Sequence, residues 1–287
     1  MYKLEFSCTT PKAVIATGLK DGKYGYKLNP DYEKELIEMK NAGIKNVELS
    51  RWYTLYADET LKMLKRVLRL VKKHKFTVTT VHMPYTHNWI DLASPWENDR
   101  KEIVNWIYKR IFKITDKLKP KAYIFHPGGG GAKPENREKF VGSLLKSVEE
   151  LSKLTSVPIC VENMVGGNLT NGVSQIKEYA EKTKNGYVVI DVNHFLNEDR
   201  GEDAILAIGD KVKALHISDN DFVYERHMMP GDGLNDWNKI IGALEQIGYK
   251  GAFTYEVSLS KYGYNYKDVV SNYEKLFENY NKSKEEK

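Results

Sequence analysis

Two cysteines in 287 residues, Cys8 and Cys160, both set in apolar strand-like runs, leave no material for a disulfide framework or a cysteine zinc site. No run approaches the ~18 consecutive apolar residues of a membrane span. The start, MYKLEFS, alternates like a strand and lacks the charged beginning and apolar stretch of an export signal. A cytoplasmic protein with no membrane association is therefore expected. Neither sign of charge dominates, since 44 basic and 39 acidic residues give +5, a balance that neither requires nor excludes a nucleic-acid partner. A glycine-rich phosphate turn after the first strand is also missing. SCTTPKAVIATG does not supply one, which counts against a doubly wound dinucleotide-binding sheet.

What is present is a repeat of strand and helix. Apolar runs recur at KLEFS (3–7), IKNVELS (44–50), FTVTTVH (76–82), KAYIFH (121–126), VPICVEN (157–163), GYVVID (186–191), VKALHIS (212–218) and GAFTYEV (251–257). They read as eight strands buried on both faces. Between them lie helical patterns: Leu61, Leu64, Val67, Leu68 and Val71 form one apolar stripe amid lysines and arginines. Asn29-Pro30 and Ser94-Pro95-Trp96-Glu97 look like helix starts, the latter a capping box, and Gly43 and Gly248 look like helix stops. With no low-complexity break, the pattern predicts an α/β fold, a single (β/α)8 TIM barrel over residues 1–282, followed by a charged tail at 283–287.

The polar residues at the strand ends are the informative ones. Successive strands end in Glu48, His82, His126, Glu162, Asp191, His216 and Glu256, with His194, Glu225 and His227 in the loops just beyond. Any one of them alone is more often a satisfied polar group than a ligand. Together, at corresponding points of successive repeats, they would converge on one barrel face, where carboxylates this close repel unless a divalent cation holds them ionised. Loop aromatics Trp52, Tyr53, Trp89 and Phe222 would either pack against the apolar face of a ligand or serve ordinary packing. The four glycines 128–131 would either admit a phosphate to backbone N–H groups or form a plain flexible loop.

VHMPY (81–85), FHPG (125–128), VENMVGG (161–167), IDVNHF (190–195), LHISDND (215–221), ERHMMPGDGLNDW (225–237) and YEV (255–257) together resemble the xylose-isomerase-like barrel superfamily. That superfamily takes in sugar phosphate isomerases and epimerases and the endonuclease IV type of apurinic endonuclease. The resemblance to the isomerase branch implies a metal held by Glu162, Asp191, His216 and Glu256, a mostly oxygen-donor set suited to manganese, magnesium or cobalt. It implies isomerisation or epimerisation of a small sugar or sugar phosphate through a metal-stabilised enediolate, with Glu162 and Glu256 as catalytic base and acid. Glu48, Trp52 and Asn163 are expected to bind substrate, and a homo-oligomer is compatible with the superfamily.

The resemblance to the endonuclease branch implies zinc in a polynuclear site, with His82, His126, His194, Glu225 and His227 as further ligands, or as groups that bind substrate. Glu225 stands where that branch has an aspartate, and its first-strand and glycine-rich segments have no counterpart in LEFSCTT or NMVGGNLTNG. The alternatives are therefore a metal-dependent phosphodiesterase acting on abasic DNA and a non-catalytic sugar-binding barrel.

Overall fold

The computed structural model describes residues 1–85, 90–166 and 169–286. These residues form ten strands: β1 (Glu5–Thr9), β2 (Val14–Lys20), β3 (Lys23–Leu28), β4 (Asn46–Leu49), β5 (Thr77–His82), β6 (Ala122–Phe125), β7 (Ile159–Glu162), β8 (Gly186–Asp191), β9 (Val212–Ile217) and β10 (Ala252–Tyr255). Eight of them close a barrel in the order β1-β10-β9-β8-β7-β6-β5-β4, every pairing parallel. This is the expected single TIM barrel, and each of the eight apolar runs supplies one of its strands.

The remaining pair, β2 and β3, is an antiparallel hairpin inserted after β1 and absent from the sequence expectation. Its Asp21-Gly22 turn has positive φ at both residues, 50° and 73°, the conformation of a type I′ turn that matches strand twist. The signal was an Asp-Gly pair between strand-like runs, hidden because both strands are mostly exposed and carry no apolar alternation.

Parity along each strand decides what faces the barrel axis. Residues two apart share a face, so Cys160 lies beneath Glu162, Val189 beneath Asp191 and Ala214 beneath His216. Cys160, Val189 and Ala214 pack with Ala122 and Ile124 in an apolar cluster separate from the main core. The main core fills the space between barrel and helices. Helix Ala57–Lys73 turns Thr60, Met63, Leu64, Val67 and Val71 inward, with Leu61 and Leu68 on the margins of the expected stripe.

One local expectation is corrected. The helix expected at Ser94 starts at Glu97, and the Ser94 hydroxyl accepts only from Trp96 N–H, because the helical turn forms beyond Pro95. The last helix runs from Tyr266 through to Glu285, and Lys284 pairs with Glu245 at 2.7 Å. At glycines 128–131, left open between a phosphate approach and a plain loop, the Asp91 carboxylate accepts from Gly129 N–H at 2.9 Å and places negative charge there, which favours the plain loop. Gly43 and Gly248 do follow helix ends, at φ 92° and 66°. No helix among the described residues is long and apolar enough to cross a membrane.

Candidate metal centre

The C-terminal ends of β7 to β10 bring four ligand-type side chains together. One donor atom from each of Glu162, Asp191, His216 and Glu256 lies within 4.8 Å of the others. The register explains it: Asp191 pairs directly with His216, and Glu162 and Glu256 stand on the flanking strand ends. His216 Nδ1 is 2.9 Å from Glu162 Oε1, 3.1 Å from Glu256 Oε2 and 3.8 Å from Asp191 Oδ2.

Glu162 also belongs to a second group of the same kind, with His82 and His126, whose Nε2 atoms lie 3.3 and 3.4 Å from Glu162 Oε2. Beyond Asp191, His194 Nε2 stands 3.3 Å from Asp191 Oδ2 and 3.6 Å from Glu225 Oε1, and His227 Nε2 stands 2.7 Å from Glu225 Oε1. The five additional residues named from the sequence thus all border the same cup.

The imidazoles are aimed. His82 Nδ1–H donates to the Met83 carbonyl (2.8 Å), His194 Nδ1–H to the Asn163 carbonyl (2.7 Å) and His227 Nδ1–H to the Glu256 carbonyl (3.0 Å). Each therefore turns its other nitrogen toward a carboxylate, the arrangement by which outer partners orient metal-binding histidines. His216 is reversed, with Nε2–H donating to Glu48 at 3.1 Å and Nδ1 facing the cup.

Among the described residues, two buried carboxylate oxygens of the cup, Glu162 Oε2 and Asp191 Oδ2, have no hydrogen-bond partner of good geometry. Leaving a buried acceptor unmet is unfavourable by about 1–3 kcal/mol, and by more when it is charged. A cation among these oxygens would remove that penalty, and three carboxylates with one imidazole form a hard donor set, so the residues fit a divalent metal.

The protonation pattern follows from the crowding. Burial alone lowers the His216 pKa, but the Glu48, Glu256 and Glu162 carboxylates outweigh it and hold the imidazole well above its ordinary range. Burial pushes Asp191 up to about 6. Glu256 goes the other way, to about 2, because the His216, His227 and Arg51 charges overcome its burial. Burial takes His126 down to about 3.

Three residues expected to bind substrate lie below the rim of the cup. Glu48, Trp52 and Asn163 are fully buried. Glu48 receives His216 and the Thr80 hydroxyl (2.7 Å), and Trp52 Nε1–H donates to the His82 carbonyl (3.1 Å). The Asn163 amide clasps the Asp191 backbone at 2.7 and 2.9 Å. All three therefore hydrogen-bond to residues that carry or adjoin the ligand group. Phe222 lies under the Arg200 guanidinium at 3.9 Å, and Trp89 falls outside the described residues.

The sequence reading missed Arg51, whose guanidinium lies 3.5 Å from Glu256 Oε1, and Tyr85, whose ring stacks on His126 at 4.2 Å. Both follow strand ends directly, Arg51 in LSR and Tyr85 in the quoted VHMPY, so position within the repeat was the available signal.

Known proteins share this architecture. The family model described as xylose isomerase-like TIM barrel matches residues 36–276. The solved structure of a D-tagatose 3-epimerase-like protein superposes with a TM-score of 0.70 at 18% identity, covering 98% of this chain and 99% of that one. An apo 3-keto-D-glucoside 4-epimerase from E. coli gives 0.69 at 16% identity, covering 95% and 100%. An uncharacterized protein of Methanocaldococcus jannaschii is 28% identical over 172 residues, 58% of this chain and 66% of that relative, so the match takes in just under two thirds of the relative's length.

Proposed function

We propose, from the premise that this chain belongs to the xylose isomerase-like TIM barrel family, that it isomerises or epimerises a small sugar with the help of a divalent cation. The observation that carries this reading is the Glu162, Asp191, His216 and Glu256 group with its two orphaned carboxylate oxygens. Its oxygen-rich composition favours manganese, magnesium or cobalt. When bound, such a cation supplies Lewis acidity toward adjacent substrate oxygens.

The chain's own residues then handle the proton. Glu162 and Glu256 reach the cup from strands separated by β8 and β9, so they flank Asp191 and His216. One carboxylate takes the proton from a carbon beside the carbonyl and the other returns it, to the opposite face for epimerisation or to the neighbouring carbon for isomerisation. Glu256 suits this role because Oε2 faces the cup and Oε1 points outward to Arg51. His194 and His227 stand at the rim, where they would hold substrate hydroxyls. The names of the two epimerase-type structures support the same class of chemistry.

The test is solvent exchange. Manganese-loaded protein in D2O, given a panel of ketoses and aldoses, should place deuterium on the carbon beside the carbonyl, read by NMR. Glu162→Gln and Glu256→Gln should each lower the rate by about 10²–10⁴-fold. Sugar binding without exchange would instead assign a non-catalytic sugar-binding barrel.

A second reading has its own observation. The His82, His126 and Glu162 group and the His194, Glu225 and His227 group adjoin the first, and their imidazole content suits zinc. A polynuclear centre of this kind fits phosphodiester hydrolysis, as on abasic DNA. About one manganese per chain, by elemental mass spectrometry on protein purified without chelator, supports the isomerase. Two or three zinc ions with cleavage of abasic DNA support the hydrolase.

A further inference from the structure

The charge of this chain is unevenly distributed. Residues 61–75 and 103–121 hold thirteen of its 44 basic residues and one of its 39 acidic ones, so the rest of the chain is net acidic although the whole carries +5. The first stretch belongs to helix Ala57–Lys73 and the second to the helical segment 97–118, in which Ile107–Phe112 is π-helical. They follow β4 and β5, which pair side by side in the barrel, so the two stand next to each other in the outer ring of helices. The one acid, Asp116, is already engaged, its carboxylate accepting from the Tyr123 hydroxyl at 2.6 Å and the Thr155 hydroxyl at 3.0 Å.

Several exposed lysines elsewhere are matched by an acid four residues away: Lys153 with Glu149 at 2.9 Å, Lys182 with Glu178 at 2.7 Å and Lys282 with Glu278 at 2.6 Å. On the first basic helix the pattern is reversed. Arg69 has Lys65 four residues before it and Lys72 and Lys73 three and four after it, spacings at which like charges destabilise a helix. Lys62 and Lys73 reach Glu59 and Glu33. Among the described residues, the exposed Lys65, Arg66, Arg69 and Lys72 have no carboxylate at ion-pair distance. The same holds on the neighbouring segment for Lys109, Arg110, Lys113 and Lys117. A surface that repels itself in this way is stabilised when a partner brings negative charge to it.

We infer that this face docks double-stranded DNA by its phosphate backbone, without reading the sequence. Packed helices lie about 8–10 Å apart, so the two segments present two rows of cations at a spacing close to the ~12 Å width of the B-form major groove, which has a row of phosphates on each rim. A membrane fits less well, because Leu118, at 36%, is the one exposed large apolar side chain of these stretches among the described residues, whereas a helix that lies in a membrane surface buries an apolar face. A second copy of the chain fits less well too, since acids elsewhere are matched by their own lysines. The face is built on the outer helices and includes no residue of the metal cup, so the inference stands apart from either reading of the cup's chemistry.

Fluorescence anisotropy with a short labelled DNA duplex of arbitrary sequence, free of abasic sites, tests it with and without chelator. Binding should be the same in both, and affinity should fall about 10²–10³-fold between about 50 and 200 mM KCl, as for roughly four or five phosphate contacts. The triple variants Arg66→Gln, Arg69→Gln, Lys72→Gln and Lys109→Gln, Arg110→Gln, Lys113→Gln should each bind at least about tenfold more weakly, with a salt slope shallower by about three. The first should also melt no lower than the parent, because like-charge repulsion is relieved. A control triple, Lys153→Gln, Lys182→Gln, Lys282→Gln, should bind within about twofold of the parent. If a triple does not fold, Arg69→Gln alone should make the slope shallower by about one. Absence of binding at about 50 mM KCl, or a salt slope that the basic-face triples leave unchanged, overturns the inference. So does an equal loss in the control. Binding that requires metal would assign the duplex to the cup instead, and tighter binding of an RNA duplex would reject the B-form fit. Binding to phosphatidylserine vesicles but not to DNA would assign the face to a membrane, and self-association lost in the triples, without DNA binding, would assign it to a second copy.

Discussion

His216 has a carboxylate on each side of its ring, and the two sides have different tasks. Nδ1 faces Glu162 and Glu256 in the cup, and Nε2 is committed to Glu48, a residue with no exposed surface. Glu48 therefore acts on the cup only through the imidazole, by fixing its rotation and strengthening it as a donor. Glu48→Gln should leave the fold intact and weaken manganese binding by about 10–100-fold, measured by titration calorimetry on chelator-treated protein. Unchanged affinity would reduce Glu48 to a space-filling residue. That both residues end strands was legible in the sequence, and so was their convergence on one face. Their contact was not, because it joins positions 168 apart and exists only once the barrel has closed between β4 and β1.

The loop between β9 and helix Trp237–Gln246 carries Glu225 and His227, and a single carboxylate organises it. Asp219 accepts from the backbone of Gly231 (2.7 Å) and Asn235 (3.2 Å), from the Asn235 amide (2.7 Å) and from Trp237 Nε1–H (2.8 Å). Asn193 holds the loop's other limb, its side-chain oxygen accepting from the backbone N–H groups of Arg226 and His227, both at 3.0 Å. Asp219→Ala would strand several buried donors, and at about 1–3 kcal/mol for an unmet group a loss of roughly 2–4 kcal/mol is expected in urea unfolding. A change below about 0.5 kcal/mol, the level of an indifferent surface substitution, would show that water replaces the carboxylate at no loss. The sequence marked this stretch as dense in polar residues without separating those that face the cup from those that build the loop. Asp219 and Glu225 look alike on the page; only the first is buried and surrounded by donors. Elements defined by apolar period were readable, whereas the exposed hairpin and the helix start near Ser94 depend on turn geometry and had no such period to show them.

Across the whole molecule, the cup concentrates ionisable groups whose titration bears on stability and, under the proposed function, would bear on metal uptake. In the metal-free protein burial raises Asp191 from 3.8 to about 6, so its contribution is fully present below pH 3.8 and is lost as pH rises through 6. Burial opposes protonation of His194, but the Asp191 and Glu225 charges prevail and raise it from 6.5 to about 10, so its contribution holds below pH 6.5 and fades toward 10. Glu256, lowered from 4.5 to about 2, contributes above pH 4.5 and loses this as pH falls through 2. Near neutral pH, positive charge on His194 and His216 therefore balances the neighbouring carboxylates. Binding a cation to Nδ1 of His216 must displace its proton. Manganese uptake at pH 7.5 should accordingly release at least one proton per chain, read from the buffer dependence of the calorimetric heat. Apparent affinity should rise about tenfold per pH unit for each proton displaced, and it should fall faster once Asp191 protonates below about pH 6. A fixed metal concentration of about 100 times the Kd at pH 7.5 would stabilise the fold by ~2.7 kcal/mol at that pH and raise Tm by several degrees, with a larger shift at pH 8 than at pH 6 because Kd falls as pH rises. Uptake without proton release, or a Tm shift that shrinks as pH rises over that window, would mean that the cation binds elsewhere than at His216.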